Sequence, residues 1–243
     1  MFAIGKCDIG RERKQNEDAI FVSDGSGRLK DLYIVADGIG GHFGGEVASS
    51  LAIETFLEYV ENHYTEESEV LEVLIGGLQY ANNCVYSRAR LDRALTGMGT
   101  TFLAAAIRDN TLYAVHIGDS RLYLLRGGRL TQLSRDHSYV MEMVRQGKLT
   151  AEEASVHPKR NIITRALGIQ ETAEPDTIIE KLWEGDSLLL CSDGLSGMLS
   201  DAAMEHELNG PGDTAHIVDR LVDEANRAGG RDNISAIVIR NRR

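Results

Sequence analysis

The 243 residues, 42% hydrophobic and 26% charged, suffice for one sizeable domain whose core needs no disulfides. Lys and Arg number 26 against 37 Asp and Glu, and the net charge of −11 disfavours a nucleic-acid or anionic-membrane surface, since both need a basic stripe. Three scattered cysteines (Cys7, Cys84, Cys191) without a C-x-x-C, and no apolar stretch near ~18 residues, exclude a zinc ribbon, a disulfide scaffold and a membrane helix; we expect a cytoplasmic protein.

In chain order, an apolar run begins just after Asp18, and Leu32–Ala36 (LYIVA) reads as a buried strand. Two long segments with helical spacing follow, Glu46–His63 and Glu69–Arg93, with Thr65 in the short connection of an antiparallel helix pair. The runs Thr101–Ile107, Leu112–Ile117 and Leu122–Leu125 predict three more strands, and Arg126-Gly127-Gly128-Arg129 marks a hairpin. Residues 134–168 are polar, with only a modest helical pattern and two histidines, His137 and His157. Such a stretch fits a flap over a site better than a piece of core. A strand at Leu188–Cys191, helices at Asp201–Leu208 and Thr214–Ala228, and a last strand at Ile234–Ile239 complete the series. Strict βαβ alternation is absent, so an α+β sandwich with antiparallel pairing is expected rather than a doubly wound parallel sheet. No Pro/Ser-rich linker, internal repeat or low-complexity tract divides the chain, and residues 1–243 are expected to form a single domain carrying the flap.

The informative pattern is an aspartate placed immediately after an apolar run, three times: LYIVAD (Asp37), LYAVHIGD (Asp119) and LLLCSD (Asp193). Asp232 precedes the last run and Asp18 an early one. Neighbouring strands would bring such ends to a common edge, where unpaired carboxylates repel. A shared hard cation resolves that conflict, because Mg²⁺ and Mn²⁺ prefer carboxylate, carbonyl and water oxygens. Gly38 leaves its own carbonyl open as a further ligand. Each Asp taken singly also reads as a plain turn signal after a strand; the repetition favours the cation. Zinc is disfavoured, since the seven histidines include no H-x-x-x-H.

Other chemistries fail on their own patterns. The glycine-rich stretch Gly38–Gly45 has Phe43 where G-x-G-x-x-G needs its last glycine, and no Walker sequence occurs. The C-x-x-x-x-x-R spacing of a thiolate phosphatase occurs at Cys7–Arg13 and again at Cys84–Arg90, within a predicted helix, so the match is cheap. Ser196 lies one residue short of a G-x-S-x-G elbow.

Taken together, eight motifs in order resemble the PPM (PP2C-type) metal-dependent protein phosphatases, in particular the small bacterial branch. They are Arg13–Ala19 (RKQNEDA), Val35–His42 (VADGIGGH), Gly97–Thr101 (GMGTT), Ile117–Arg121 (IGDSR), Asp136–Ser138 (DHS), His157–Gly168 (HPKRNIITRALG), Cys191–Leu195 (CSDGL) and Asp232–Ser235 (DNIS). The resemblance implies two packed antiparallel β-sheets flanked by helix pairs, with the metals in a cleft at one end. It implies two tightly held Mn²⁺ or Mg²⁺ ions and a third, weaker one. Asp37 would bridge the first two, Asp193 and Asp232 would complete the first, and Asp18 with the Gly38 carbonyl would hold the second. Asp119, with Asp193, would hold the third, and Arg13 would bind phosphate.

The implied reaction is hydrolysis of phosphoserine and phosphothreonine in proteins by a water lying between the metals. The implied substrates are those of a serine/threonine kinase, and a monomer is expected. Eukaryotic members of the family place a histidine two residues after the bridging aspartate as general acid. Ile39 stands there here, and His42 reads equally well as a structural residue, so no leaving-group donor is assigned. The rival reading is a catalytically silent phosphoprotein-binding module on the same fold, which the presence of all five aspartates disfavours.

Overall fold

The computed structural model describes residues 1–40 and 44–241, with the backbone alone for Ala151 and Ser155. In chain order the elements are β1 (Phe2–Asp8), β2 (Asp18–Val22), β3 (Leu32–Ile39), α1 (Gly44–His63), α2 (Val70–Leu91), β4 (Gly99–Thr100), β5 (Phe102–Arg108), β6 (Thr111–Ile117), β7 (Arg121–Arg126) and β8 (Arg129–Gln132). Two short helices follow, α3 (Tyr139–Arg145) and α4 (Ala151–Ser155), then β9 (Asp176–Lys181), β10 (Ser187–Cys191), α5 (Asp193–Ser196), α6 (Asp201–Asn209), α7 (Thr214–Arg227) and β11 (Ile234–Arg240). Among them no helix is long and apolar enough to cross a membrane.

The strands form two antiparallel sheets, one ordered β1-β11-β10-β7-β8 and one ordered β2-β3-β5-β6-β9 with β4 alongside β3. Their sequences read as unbroken apolar runs because both faces of each central strand are covered. Leu32, Ile34 and Ala36 of β3 face the α1–α2 pair, while Tyr33 and Val35 face the other sheet. Across the interlayer, Leu188, Leu190, Ile237 and Ile239 point inward, and Leu189, Cys191, Ala236 and Val238 pack beneath α6 and α7. The layers are therefore helix pair, sheet, sheet, helix pair, as expected.

Local chemistry accounts for the boundaries. The β7–β8 hairpin closes through Gly127 and Gly128, both at positive φ (58° and 83°), as a two-residue turn matched to strand twist demands. Helix α2 stops two residues short of its expected end because Asp92 is extended (φ −116°, ψ 112°) and its carboxylate accepts from the Ala94 N–H to start a 3-10 turn. Thr101, expected to open a strand, instead breaks the ladder: its N–H donates to the Asp37 carbonyl and its hydroxyl oxygen accepts from the Asp37 N–H.

Besides the two-residue β4, two strands escaped the sequence reading. Strand β1 is only half buried along its length, and β9 alternates between half-buried and exposed residues as a sheet edge, with Ile179 59% exposed. Neither makes an apolar run. Residues 134–168 leave and return at one place, where Tyr139 donates to the Ile162 carbonyl, Thr164 donates to the His137 carbonyl and Ser138 bridges to Ile163. Helix α3 is capped by Ser138, and α4 by a reciprocal Thr150–Glu153 box.

Candidate metal centre

The five aspartates belong to distant parts of the chain, and strand register brings them to one end of the sandwich. Asp18 and Asp37 stand directly opposite each other in the β2–β3 ladder. Like charges so placed oppose strand pairing, so the position is not explained by the sheet itself. In the second sheet, β10 pairs with β7 on one side and β11 on the other, Cys191 facing Arg121 and Ala236. Asp193, just past β10, is thereby flanked by Asp119 in the turn before β7 and by Asp232 in the loop before β11.

Burial pushes the Asp18 carboxyl up to about 7, against the pull of hydrogen bonds from Ser235 and Ser192 and with a further push from Asp193 and Asp232. Asp37 is raised well above the usual carboxylate range, first by burial and then by the charges of Asp18, Asp193, Asp119 and Asp232. Asp119 rises to about 8 through burial and the neighbouring Asp193, and Asp193 is raised by burial and Asp232. Ser192 donates to Asp18 Oδ2 at 2.7 Å, but Asp18 Oδ1 and Asp119 Oδ1 are buried with no hydrogen-bond partner. Buried carboxylate oxygens left like this are costly unless a cation completes them.

Hard divalent cations fit this donor set. Among the described residues no three or more His, Cys, Asp or Glu side chains stand close enough together to hold a metal ion by themselves, so carbonyl and water oxygens would have to share the shell. Oxygens spread along an open cleft suit an ion that keeps several of its waters. Gly38 is required where it stands: a Cβ there would lie 2.2 Å from the Gly45 carbonyl oxygen and 2.6 Å from that of Glu17.

Arg13, 46% exposed, reaches the cleft rim and donates from Nη2 to Asp232 Oδ2 at 2.8 Å, with Nη1 3.7 Å from Glu17 Oε2. Its loop is strapped down by Asn233, whose amide donates to the carbonyls of Ile9 and Gln15 and accepts from the Glu17 N–H. Next to Asp119 and Asp193 a cavity of about 560 Å³ extends toward Val140, Met141 and Ala154 of the 134–168 segment. All the sequence-predicted site residues thus meet in one region. His42 lies outside the described residues.

Sequence reasoning missed the residues that hold the aspartates in place. Thr101 Oγ1 accepts from the Asp37 N–H at 2.9 Å, Ser192 holds Asp18, and Asp136 grips Arg121 with both carboxylate oxygens. Each lies inside one of the eight motifs, but the sequence reading gives it no role of its own.

Known proteins share this fold and much of this sequence. The protein phosphatase 2C family profile matches residues 10–237. The serine/threonine phosphatase stp of Listeria innocua is 37% identical over 98% of this chain and 95% of its own length. The crystal structure of the Mycobacterium tuberculosis serine/threonine phosphatase PstP/Ppp superposes with a TM-score of 0.91 at 37% identity, covering 100% of this chain and 99% of that one. The catalytic domain of the phosphatase PstP in complex with two manganese ions superposes with a TM-score of 0.86 at 37% identity, covering 98% and 96%. With a profile match over nearly its whole length and relatives this close, the chain belongs to the protein phosphatase 2C family.

Proposed function

We propose that the acidic cleft is the catalytic centre at which this chain, a metal-dependent serine/threonine phosphoprotein phosphatase, hydrolyses its substrates. The observation that carries the reading is the pairing of Asp18 with Asp37 across one ladder, crowded by Asp193 and Asp119 and left with two orphaned oxygens. Asp37 would be shared between two ions, with Asp193 and Asp232 completing one shell and Asp18 and the Gly38 carbonyl the other. Asp119, with Asp193, would hold a third ion more weakly. Such a cation supplies Lewis acidity, acidifying water and neutralising phosphoryl charge.

The chain's own residues do the positioning. Arg13 presents a planar fork that suits two phosphoryl oxygens at once, and its bond to Asp232 aims it into the cleft. Ser192 and Thr101 fix Asp18 and the Asp37 backbone, so neither has to reorganise when substrate arrives.

The substrates are phosphorylated proteins, and we take them to be products of a serine/threonine kinase. We read residues 134–168 as a flap of a single 1–243 domain that selects among them, since Val140, Met141 and Ala154 border the cavity beside Asp119. We expect a cytoplasmic monomer using Mn²⁺ or Mg²⁺.

The test is release of phosphate from a phosphothreonine peptide with and without Mn²⁺, by the wild-type protein and by Asp37→Asn. Activity that needs the metal and disappears in the variant supports the reading; undiminished activity in Asp37→Asn contradicts it. Exchanging residues 134–168 with another sequence is expected to alter peptide preference more than hydrolysis of a small aryl phosphate. Equal losses on both would remove the selecting role.

A further inference from the structure

The turn that carries Asp119 is held from outside the cleft by a histidine that the proposed mechanism does not use. Gly118 has φ +111°, and a Cβ there would come within 2.6 Å of Thr101, so its conformation is both unusual and crowded. His137, 7% exposed, grips this glycine twice. Its N–H donates to the Gly118 carbonyl at 2.8 Å, and its ring Nδ1 accepts from the Gly118 N–H at 3.1 Å.

An Nδ1 that accepts leaves the proton of a neutral imidazole on Nε2. That atom lies 3.3 Å from Asp176 Oδ1, the acceptor that such a tautomer needs. Arg165 donates to the same Asp176 oxygen at 3.1 Å and so fixes the carboxylate in turn. His116, wholly buried, packs its ring 4.9 Å from that of His137 and closes the inner side.

The chain of contacts Arg165–Asp176–His137–Gly118 ends one residue before Asp119, whose buried Oδ1 has no partner. His137 also accepts from the Thr164 N–H at 2.7 Å, so the same residue anchors the base of the 134–168 segment.

We infer that His137, oriented by Asp176, is a positioning residue that aims the Asp119 carboxylate at a divalent cation and couples that aim to the seating of residues 134–168. The inference rests on the reading of Asp119 as a cation ligand. Its effect falls on cation affinity: disturbing the partner of a liganding group costs on the order of 10- to 100-fold in metal binding.

Two substitutions separate the two ring nitrogens. His137→Asn keeps an acceptor where Nδ1 lies, and His137→Gln offers a donor toward Asp176 but no acceptor for Gly118. Mn²⁺ titration followed by calorimetry should give near wild-type binding for His137→Asn. For His137→Gln it should show weakening of about tenfold or more, approaching Asp119→Asn.

In the metal-free protein, amide exchange of Gly118 should be slow in the wild type and in His137→Asn and fast in His137→Gln. Nitrogen NMR of the wild-type ring should find the proton on Nε2. A proton on Nδ1, or His137→Gln indistinguishable from wild type in both Mn²⁺ binding and Gly118 exchange, would overturn the inference. A titration unmoved by Asp119→Asn would sink the ligand reading, and the proposal with it. The amide and ring signals distinguish that case from failure of the clamp alone.

Discussion

Strand β10 carries an aspartate at each end, and the two are held in opposite ways. Asp186, immediately before the strand, is less exposed than any of the five cleft aspartates. Its carboxylate takes two bonds from Arg126 Nε (3.1 and 3.2 Å), one from Arg126 Nη2 (2.8 Å) and one from the Trp183 N–H (2.8 Å). Arg126 is itself stacked over the Trp183 ring at 4.2 Å and bonded to Glu180. Asp193, just past the other end, faces Asp232 and Asp37 instead; burial and then the Asp232 charge raise its proton affinity, against the pull of the Asp37 hydrogen bond and of Arg13 and Arg121. Burial is common to both; a guanidinium bonded directly to the carboxylate is found only at Asp186. Where the fold brings its own guanidinium, a buried carboxylate reads as structure, and where it brings further carboxylates, it reads as a site for something from solution.

The sharpest way to break this contrast is to remove charge from the crowded end. Asp37→Asn should lower kcat/KM on a phosphopeptide by about 10³-fold or more, as loss of several kcal/mol of metal-derived stabilisation requires. The same variant, without metal, should melt higher than wild type, because a repelled buried carboxyl has become a neutral amide. A lower melting temperature would mean that Asp37 is structurally paired after all.

The pH dependence should follow the same sign. Asp18 holds its proton up to about 7 when folded but releases it near 3.8 when unfolded, so the folded state binds the extra proton between those values. Stability of the metal-free protein should therefore fall as pH rises from about 4 to 8, by on the order of 4 kcal/mol from this group, and level off above. Saturating Mn²⁺ should flatten the slope by neutralising the carboxylates. Melting curves across that range with and without Mn²⁺ decide it, and a metal-free protein that gains stability over the same range would contradict it.

At the paired end, Asp186→Asn should cost about 1–3 kcal/mol in denaturant unfolding by weakening the Arg126 contacts. Specific activity of the folded protein should be retained. A large loss of activity with stability intact would show that the two ends are not separate. The smallest expected effect is at the rim: Arg13→Lys keeps the charge and loses the fork, and should lower kcat/KM about tenfold with little change in stability. An unchanged kcat/KM would leave Arg13 a surface cation serving Asp232.

Much of this was legible in the sequence because the central strands are covered on both faces and so announce themselves as apolar runs ending in aspartate. Leu32–Ala36 and Leu188–Cys191 are examples. Strands at the edges were not: β9 alternates and exposes Ile179, and β1 is half buried throughout. The aspartates could be named because their residue type carries the chemistry. Their supports could not, since Thr101, Ser192 and Asn233 act through hydrogen bonds to partners 64, 174 and more than 200 residues away. His137 stands out in the sequence as a histidine of a polar insertion and of the DHS motif, but without a role, because its contact with Gly118 depends on how the chain returns after 19 residues.

Calorimetric titration of Mn²⁺ into the wild-type protein, Asp193→Asn and Asp186→Asn would set the two ends of β10 against each other in one experiment. Binding is expected for the wild type and Asp186→Asn, and weakening of about 100-fold for Asp193→Asn. Equal binding by the wild type and Asp193→Asn would mean that the crowded carboxylates tolerate one another without a cation, contradicting the metal centre.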